Sequence, residues 1–166
     1  MQPTQRVVHS FNFSYIRDKK RASVVMWLVA NETPSTEHRL TFFTNLMQKA
    51  RELDNSRLIT AAMDTHSSTA NGILIDDPLA SEVDIIGINS YCGWYVSEAG
   101  KCSALRWESH YNKPIIMSEF GAGALQGLYG EANERWTKEF QEAVYVHNLE
   151  MIDDISALRC ISSLSS

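Results

Sequence analysis

Two apolar runs that each end in a glutamate constrain this chain most: Val24-Val25-Met26-Trp27-Leu28-Val29-Ala30-Asn31-Glu32 and Pro114-Ile115-Ile116-Met117-Ser118-Glu119-Phe120-Gly121. A continuous apolar, β-rich run reads as a strand buried on both faces, the kind found in parallel sheets. An ion at the end of such a strand is expensive to bury alone, so each glutamate is either paired or set at the mouth of a site that uses its charge. From Glu32 to Glu119 is 87 residues (119 minus 32). That interval holds three strand-plus-helix units of roughly 29 residues each, the scale of a βαβ repeat.

The residues between follow the same alternation. Thr33-Pro34-Ser35-Thr36-Glu37 supplies the proline and hydroxyls of a helix start, and Leu40, Phe43, Leu46, Met47, Ala50 and Leu53 then recur at three and four residues as one helical face. A short strand is expected over residues 57–63, a polar loop with at most a short helix over 64–81, and a buried strand over 83–89. Residues 105–111 read as a weak helix. A last amphipathic helix is expected over about residues 134–152, with Trp136, Phe140, Ala143, Val144, His147 and Met151 on one face. If these strands are consecutive members of a (β/α)8 barrel, their C-terminal ends share one rim, and Glu32 and Glu119 face a common pocket from opposite sides.

Apolar residues make up 44% and charged residues 21%, ordinary for a folded domain, so disorder over most of the length is not expected. A formal charge of −5 argues against a nucleic-acid surface. The cluster Arg17-Asp18-Lys19-Lys20-Arg21 reads as a solvated helix end, where basic residues complement the helix dipole. No run of 18 apolar residues marks a membrane span, and no charged start followed by an apolar core marks a secretory signal. The three cysteines, Cys92, Cys102 and Cys160, show no ligand spacing and are odd in number, so free thiols are expected, with neither a disulfide framework nor a zinc site. His9, His38, His66, His110 and His147 are scattered, with no pair at helical metal-binding spacing.

Residues 23–33, 84–95 and 113–127 together resemble the barrel domain of glycoside hydrolase family two, most closely its β-glucuronidase branch. The likeness runs from about Ile16 to Leu158 and rests on three motifs in the right order. In that family the Asn-Glu pair after the fourth strand supplies the general acid/base and the glutamate after the seventh strand is the nucleophile. The matching residues are Asn31-Glu32 and Glu119. Asn89-Ser90-Tyr91-Cys92-Gly93-Trp94-Tyr95 resembles the sixth-strand segment, so the resemblance implies that Asn89, Tyr91 and Tyr95 line the sugar site and contact the nucleophile. Cys92 stands where the family has an aromatic residue. Asn31 is implied to hydrogen-bond the sugar's 2-hydroxyl. Glu32 would protonate the leaving oxygen while ionised Glu119 attacks the anomeric carbon, giving retention through a covalent intermediate with the carboxyls about 5 to 5.5 Å apart. No metal or organic cofactor is implied.

The expected fold class is therefore α/β, a partial (β/α)8 TIM barrel, because 166 residues fall short of the ~250 of a complete one. The chain is expected to hold about strands four to seven of eight. Residues 1–22 would be a remnant of a preceding helix or an irregular segment, and 23–158 the partial catalytic domain. Residues 159–166 would be an aberrant or disordered tail left by truncation or a shifted reading frame. The expected partner is a carbohydrate, a β-glucuronide or a β-galactoside, with no nucleic acid and no membrane, and the parent protein would be a homo-oligomer. The compartment follows the parent: cytoplasmic if bacterial, lysosomal or secreted if a missing N-terminus carried a signal. The family's sugar-selecting Asn-x-Lys motif lies past the eighth strand, so the sequence leaves the sugar open.

Each residue also has a plainer reading. Glu32 would serve as a helix N-terminal charge, worth about 0.3 to 1 kcal/mol, and Glu119 as the partner of a nearby arginine. Tyr91, Trp94 and Tyr95 would be ordinary packing aromatics. The glycine-bearing run 121–127 reads as a flexible loop and not as a phosphate loop. A non-catalytic carbohydrate-binding remnant and a cellulase-like hydrolase with the same carboxylate positions are the competing functions.

Overall fold

A computed structural model describes residues 3–64, 67–69 and 72–163. His66 and residues 164–166 lie outside this set. Five strands, β1 (Met26–Asn31), β2 (Leu58–Ala62), β5 (Ile85–Ser90), β7 (Ile115–Phe120) and β8 (Leu158–Ile161), lie side by side in that order as one parallel sheet. All five run in one direction, so their C-terminal ends share an edge. This is part of a TIM barrel wall, with β1 and β8 as its open margins.

Alternation along the strands divides the sheet into two faces. Ile59, Ala61, Ile86, Ile88, Ile115, Met117 and Phe120 point outward into one core. Among the described residues, three helices cover that face. From α1 (Pro3–Asp18), Tyr15 stacks on Trp27 at 3.8 Å; α2 (Glu37–Leu53) supplies Met47 and Ala50; and α3 (Lys138–Asp153) supplies Met151 and Ile152. Thr36 caps α2, its hydroxyl accepting from the Arg39 amide at 3.1 Å, a contact worth about 1 kcal/mol. The helix thus opens at Glu37, directly after the hydroxyl-rich stretch, as expected.

The two crossovers between α2 and α3 differ from expectation. The polar loop after β2 contains a hairpin, β3 (Ser67–Thr69) with β4 (Gly72–Ile75), followed by a 3-10 turn over Pro78–Ser81 capped by Asp77. Residues 105–111 are not a helix: a 3-10 turn over Ala99–Ala104 leads into β6 (Arg106–Ser109), which pairs in parallel with β4. Arg106 and Glu108 face solvent while Trp107 turns inward, its indole N–H donating to Met151 Sδ at 3.3 Å, a period-two pattern that suits a strand. Gly72 allows the close approach, since a side chain there would collide with the Arg106 carbonyl. A three-stranded sheet thus stands where a polar loop and a weak helix were expected.

Three further corrections concern the second half. Cys92 and Cys102 are joined in a disulfide, with Cα atoms 5.7 Å apart, and only Cys160 of the three is free. Spacing could not show this, because pairing depends on how the chain returns. The last helix begins at Lys138, capped by Thr137, so Trp136 precedes it and is partly exposed, while Asn148 joins Phe140, Val144 and Met151 on the buried face. The boundary expected after Leu158 falls inside β8, where Leu158 and Ile161 are register partners of Ile115 and Met117, and the Ser162 amide donates to Met117 O at 2.8 Å.

Candidate active site

Asn31 and Glu119 reach the inner face through the same device. In β1, Leu28 pairs with Thr60 and Asn31 pairs with Ala62, so Val29 and Ala30 together oppose Ala61 alone. In β7, Met117 pairs with Ile88 and Glu119 with Asn89, which leaves Ser118 as the extra residue. Each is a bulge, and one inserted residue flips every side chain after it to the other face. Without it Glu119 would stand opposite Ser90, whose hydroxyl faces outward to Asn148 on α3. With it, Asn31, Asn89 and Glu119 turn inward together.

The side chains interlock. Asn89 Nδ2 donates to Asn31 Oδ1 at 3.1 Å and to the Tyr91 hydroxyl at 3.4 Å, and its Oδ1 accepts from Ser118 Oγ at 2.7 Å. The extra residue of the β7 bulge therefore fixes the amide that touches the other two groups. The Tyr91 hydroxyl lies 2.7 Å from Glu32 Oε2 and 3.3 Å from Glu119 Oε2. These two legs put the carboxylate oxygens no more than 6.0 Å apart, the sum of 2.7 and 3.3 Å. A phenol carries one proton and two acceptor positions, so that proton serves one carboxylate at a time. Burial, and then the hydrogen-bonded Glu32 carboxylate, push the Tyr91 phenol above its ordinary value. At neutral pH it stays a donor.

Tyr91 is itself held from behind. Asn148, fully buried on α3, donates through Nδ2 to Cys92 O at 3.0 Å and accepts from Ser90 Oγ at 3.1 Å. The Cys92–Cys102 bridge ties the same loop to the 3-10 turn beneath it. Nothing in the sequence assigns Ser118 or the disulfide this role. For Asn148 the one legible sign is an amide interrupting the apolar stripe from Val144 to Met151.

Tyr95 stands apart from the other expected residues. It is 69% exposed, and its ring meets Tyr91 and Trp94 at centroid distances of 5.5 and 5.7 Å without touching either carboxylate. Among the described residues, no group of three or more His, Cys, Asp or Glu side chains is placed to hold a metal, and no helix is long and apolar enough to cross a membrane.

Comparison with known proteins bears on this geometry. The profile of the family described as glycosyl hydrolases family 2, TIM barrel domain, matches residues 2–157. A β-glucuronidase of Streptococcus agalactiae is 33% identical over 152 residues, covering 86% of this chain and 25% of the relative. The β-glucuronidase of Rattus norvegicus is 33% identical over 148 residues, covering 83% of this chain and 22% of the relative. The solved β-D-glucuronidase of Dictyoglomus thermophilum superposes with a TM-score of 0.76 at 25% identity, over 98% of this chain and 28% of that one. The chain thus spans about a quarter of the length of the relatives it matches.

Proposed function

Because the chain belongs to glycosyl hydrolase family 2, as part of its TIM barrel domain, we propose that it carries the paired carboxylates of a retaining β-glucuronidase-like glycosidase. Glu32 is the general acid/base and Glu119 the nucleophile. The observation that carries this is the single Tyr91 hydroxyl within hydrogen-bond range of both carboxylates. Their oxygens lie within 6.0 Å, the sum of the 2.7 and 3.3 Å legs, which suits the retaining spacing of about 5 to 5.5 Å and falls below the ~6.5 to 9.5 Å of inverting sites.

The three oxygens can divide the labour. With Glu32 protonated, its O–H is free to point at the glycosidic oxygen, and the Tyr91 proton turns to Glu119 and holds that carboxylate ionised for attack. As Glu119 bonds to the anomeric carbon, the leaving oxygen takes the Glu32 proton and departs. Glu32, now ionised, regains the Tyr91 hydrogen bond and serves as base for the water that releases the sugar. Asn31 and Asn89, already paired, present amide groups to the sugar hydroxyls, and the exposed Tyr95 supplies a ring at the mouth. A β-glucuronide is the substrate favoured by the names of the relatives, with a β-galactoside as the alternative.

The 166-residue chain by itself turns over weakly or not at all. On the inner face Leu28 and Leu58 are half exposed, and β1 and β8 each have a strand on one side only, so within these residues the sugar pocket stays open. The test is hydrolysis of 4-nitrophenyl β-glucuronide by the purified chain at high concentration, beside Glu119→Gln and the matching β-galactoside. Slow release that prefers the glucuronide and disappears in Glu119→Gln is the expected result. Equal release by Glu119→Gln would overturn the nucleophile assignment, preference for the galactoside would move the sugar, and sugar binding without release would favour the carbohydrate-binding alternative.

A further inference from the structure

Glu32 adopts a backbone conformation that its side chain disfavours. Its φ is +44°, in the left-handed region where a residue with a Cβ costs about 1 to 3 kcal/mol and persists only when its surroundings enforce it. The ladder reaches it by one bond, from the Glu32 amide to the carbonyl of Ala62 at the end of β2, because β1 ends at Asn31. The enforcement comes from a closed ring of interactions behind the residue.

The ring runs through Arg39 and Asp77, both buried. Arg39 Nη1 and Nη2 donate to Asp77 Oδ1 and Oδ2, each at 2.7 Å, a bidentate pair. The third guanidinium donor, Nε, reaches Thr33 Oγ1 at 2.8 Å, next in the chain to Glu32. On its other side Asp77 accepts from the Asp64 amide at 3.2 Å, anchoring the segment just after β2. That segment begins at Ala62, whose carbonyl accepts the Glu32 amide at 3.0 Å. Glu32 is therefore gripped from both sides by one ion pair, through Thr33 and through the backbone of residues 62–64. Burial alone would raise the Asp77 carboxyl, but the Arg39 and backbone bonds outweigh it and hold it below the usual range, so the pair is ionised.

We propose that Arg39 and Asp77 are positioning residues for the general acid, acting through the Thr33 hydroxyl to fix the left-handed turn that aims Glu32 at Tyr91 and the glycosidic oxygen. This rests on the reading of Glu32 as acid/base. A geometric role of this kind has a signature that a merely stabilising pair lacks. Displacing an acid slows the step that needs its proton and spares substrates whose leaving group needs none.

Thr33→Val removes the hydroxyl at nearly constant shape and leaves the ion pair intact, and Thr33→Ser restores it. The first readout needs no turnover: amide hydrogen exchange at Glu32, by NMR on the whole chain. Thr33→Val should speed exchange there at least about tenfold, with β5 and β7 unchanged and Thr33→Ser close to the original. Unchanged exchange at Glu32, or acceleration spread evenly over the sheet, would overturn the proposal. The second readout is the leaving-group dependence of turnover. In Thr33→Val, kcat/KM for an alkyl glucuronide should fall at least about tenfold and kcat/KM for the 2,4-dinitrophenyl glucuronide less than about twofold, because kcat/KM reports the first step and not the later one in which Glu32 acts as base. Equal losses on both would overturn it. If Glu32→Gln leaves the alkyl glucuronide rate intact, it is the acid/base reading that fails, whatever Thr33→Val does.

Discussion

The two carboxylates lie within 6.0 Å of each other, the sum of the 2.7 and 3.3 Å contacts to Tyr91, yet they are held by different means. Glu119 belongs to β7, flanked by β5 on one side and β8 on the other, and its direction follows from the ladder plus one extra residue, Ser118. Glu32 lies just past the last β1–β2 ladder pair, and its direction follows from a side-chain ring through Arg39 and Asp77. A central strand positions a side chain with backbone hydrogen bonds that any sequence can make. A position past the end of the ladder needs particular residues to do the same work.

The largest effects should separate the two roles. Glu119→Gln should abolish release from every glucuronide, whatever the leaving group. Glu32→Gln should cost about 10² to 10⁴ in kcat/KM on an alkyl glucuronide, where a proton must be given, and far less in kcat/KM on the 2,4-dinitrophenyl compound. Steady-state rates on the two substrates check this. Parallel losses for both variants would erase the distinction.

Stability should show the same asymmetry at smaller scale. Arg39→Ala leaves a buried Asp77 unpaired and should lower the free energy of unfolding by about 3 to 5 kcal/mol, read as a fall in urea midpoint at constant slope. Ser118→Ala, on the Glu119 side, removes one hydroxyl bond and should cost only about 1 kcal/mol. Comparable losses would mean that the ladder alone does not hold Glu119. Gly121, two residues after it, sits at φ +119°, and a Cβ there would lie 2.6 Å from the Tyr145 hydroxyl, so Gly121→Ala should cost about 1 to 3 kcal/mol.

The smallest effect is in acid. The Asp77 carboxyl lies below its unfolded value of about 3.9, so its contribution is complete above that pH and is lost as pH falls from about 4 towards the folded value. Asp54 behaves alike: the Ser56 hydroxyl first, then the Ser56 amide, Arg57 and Trp27, outweigh burial and hold it well below the usual range. Urea midpoints between about pH 5 and about pH 2.5 should fall less steeply in Asp77→Asn than in the unaltered chain. An equal slope would show that the Arg39 pair contributes nothing to acid sensitivity.

What the sequence made legible was residue type and order. Asn31-Glu32, Asn89-Ser90-Tyr91 and Glu119 close apolar runs at intervals that suit parallel strands, and the sheet brings them to one edge. The helix start at Thr36 was equally local, a hydroxyl ahead of a periodic apolar face. Pairing across distance was not legible. Arg39 and Asp77 are 38 residues apart and share no pattern, and a bulge such as Ser118 is a choice made between two strands. Arg106-Trp107-Glu108-Ser109 offers only two alternations, too few to tell a strand from a helical turn, and what decides it is the neighbouring β4. The exposed Tyr95 shows the converse limit, since a motif fixes where a residue falls in the chain and not how far its side chain stands from the carboxylates.

The Cys92–Cys102 bridge carries a consequence for the unfolded chain. By the loop-entropy account, closing a ring of this size removes about 2 to 3 kcal/mol of disorder from the denatured ensemble. The ring begins one residue after Tyr91, so the hydroxyl shared by the two carboxylates is attached to the segment whose freedom depends on the redox poise of its surroundings. A reductant would release that segment without altering any group that touches the carboxylates, and the bridge persists unaided only where thiols are kept oxidised.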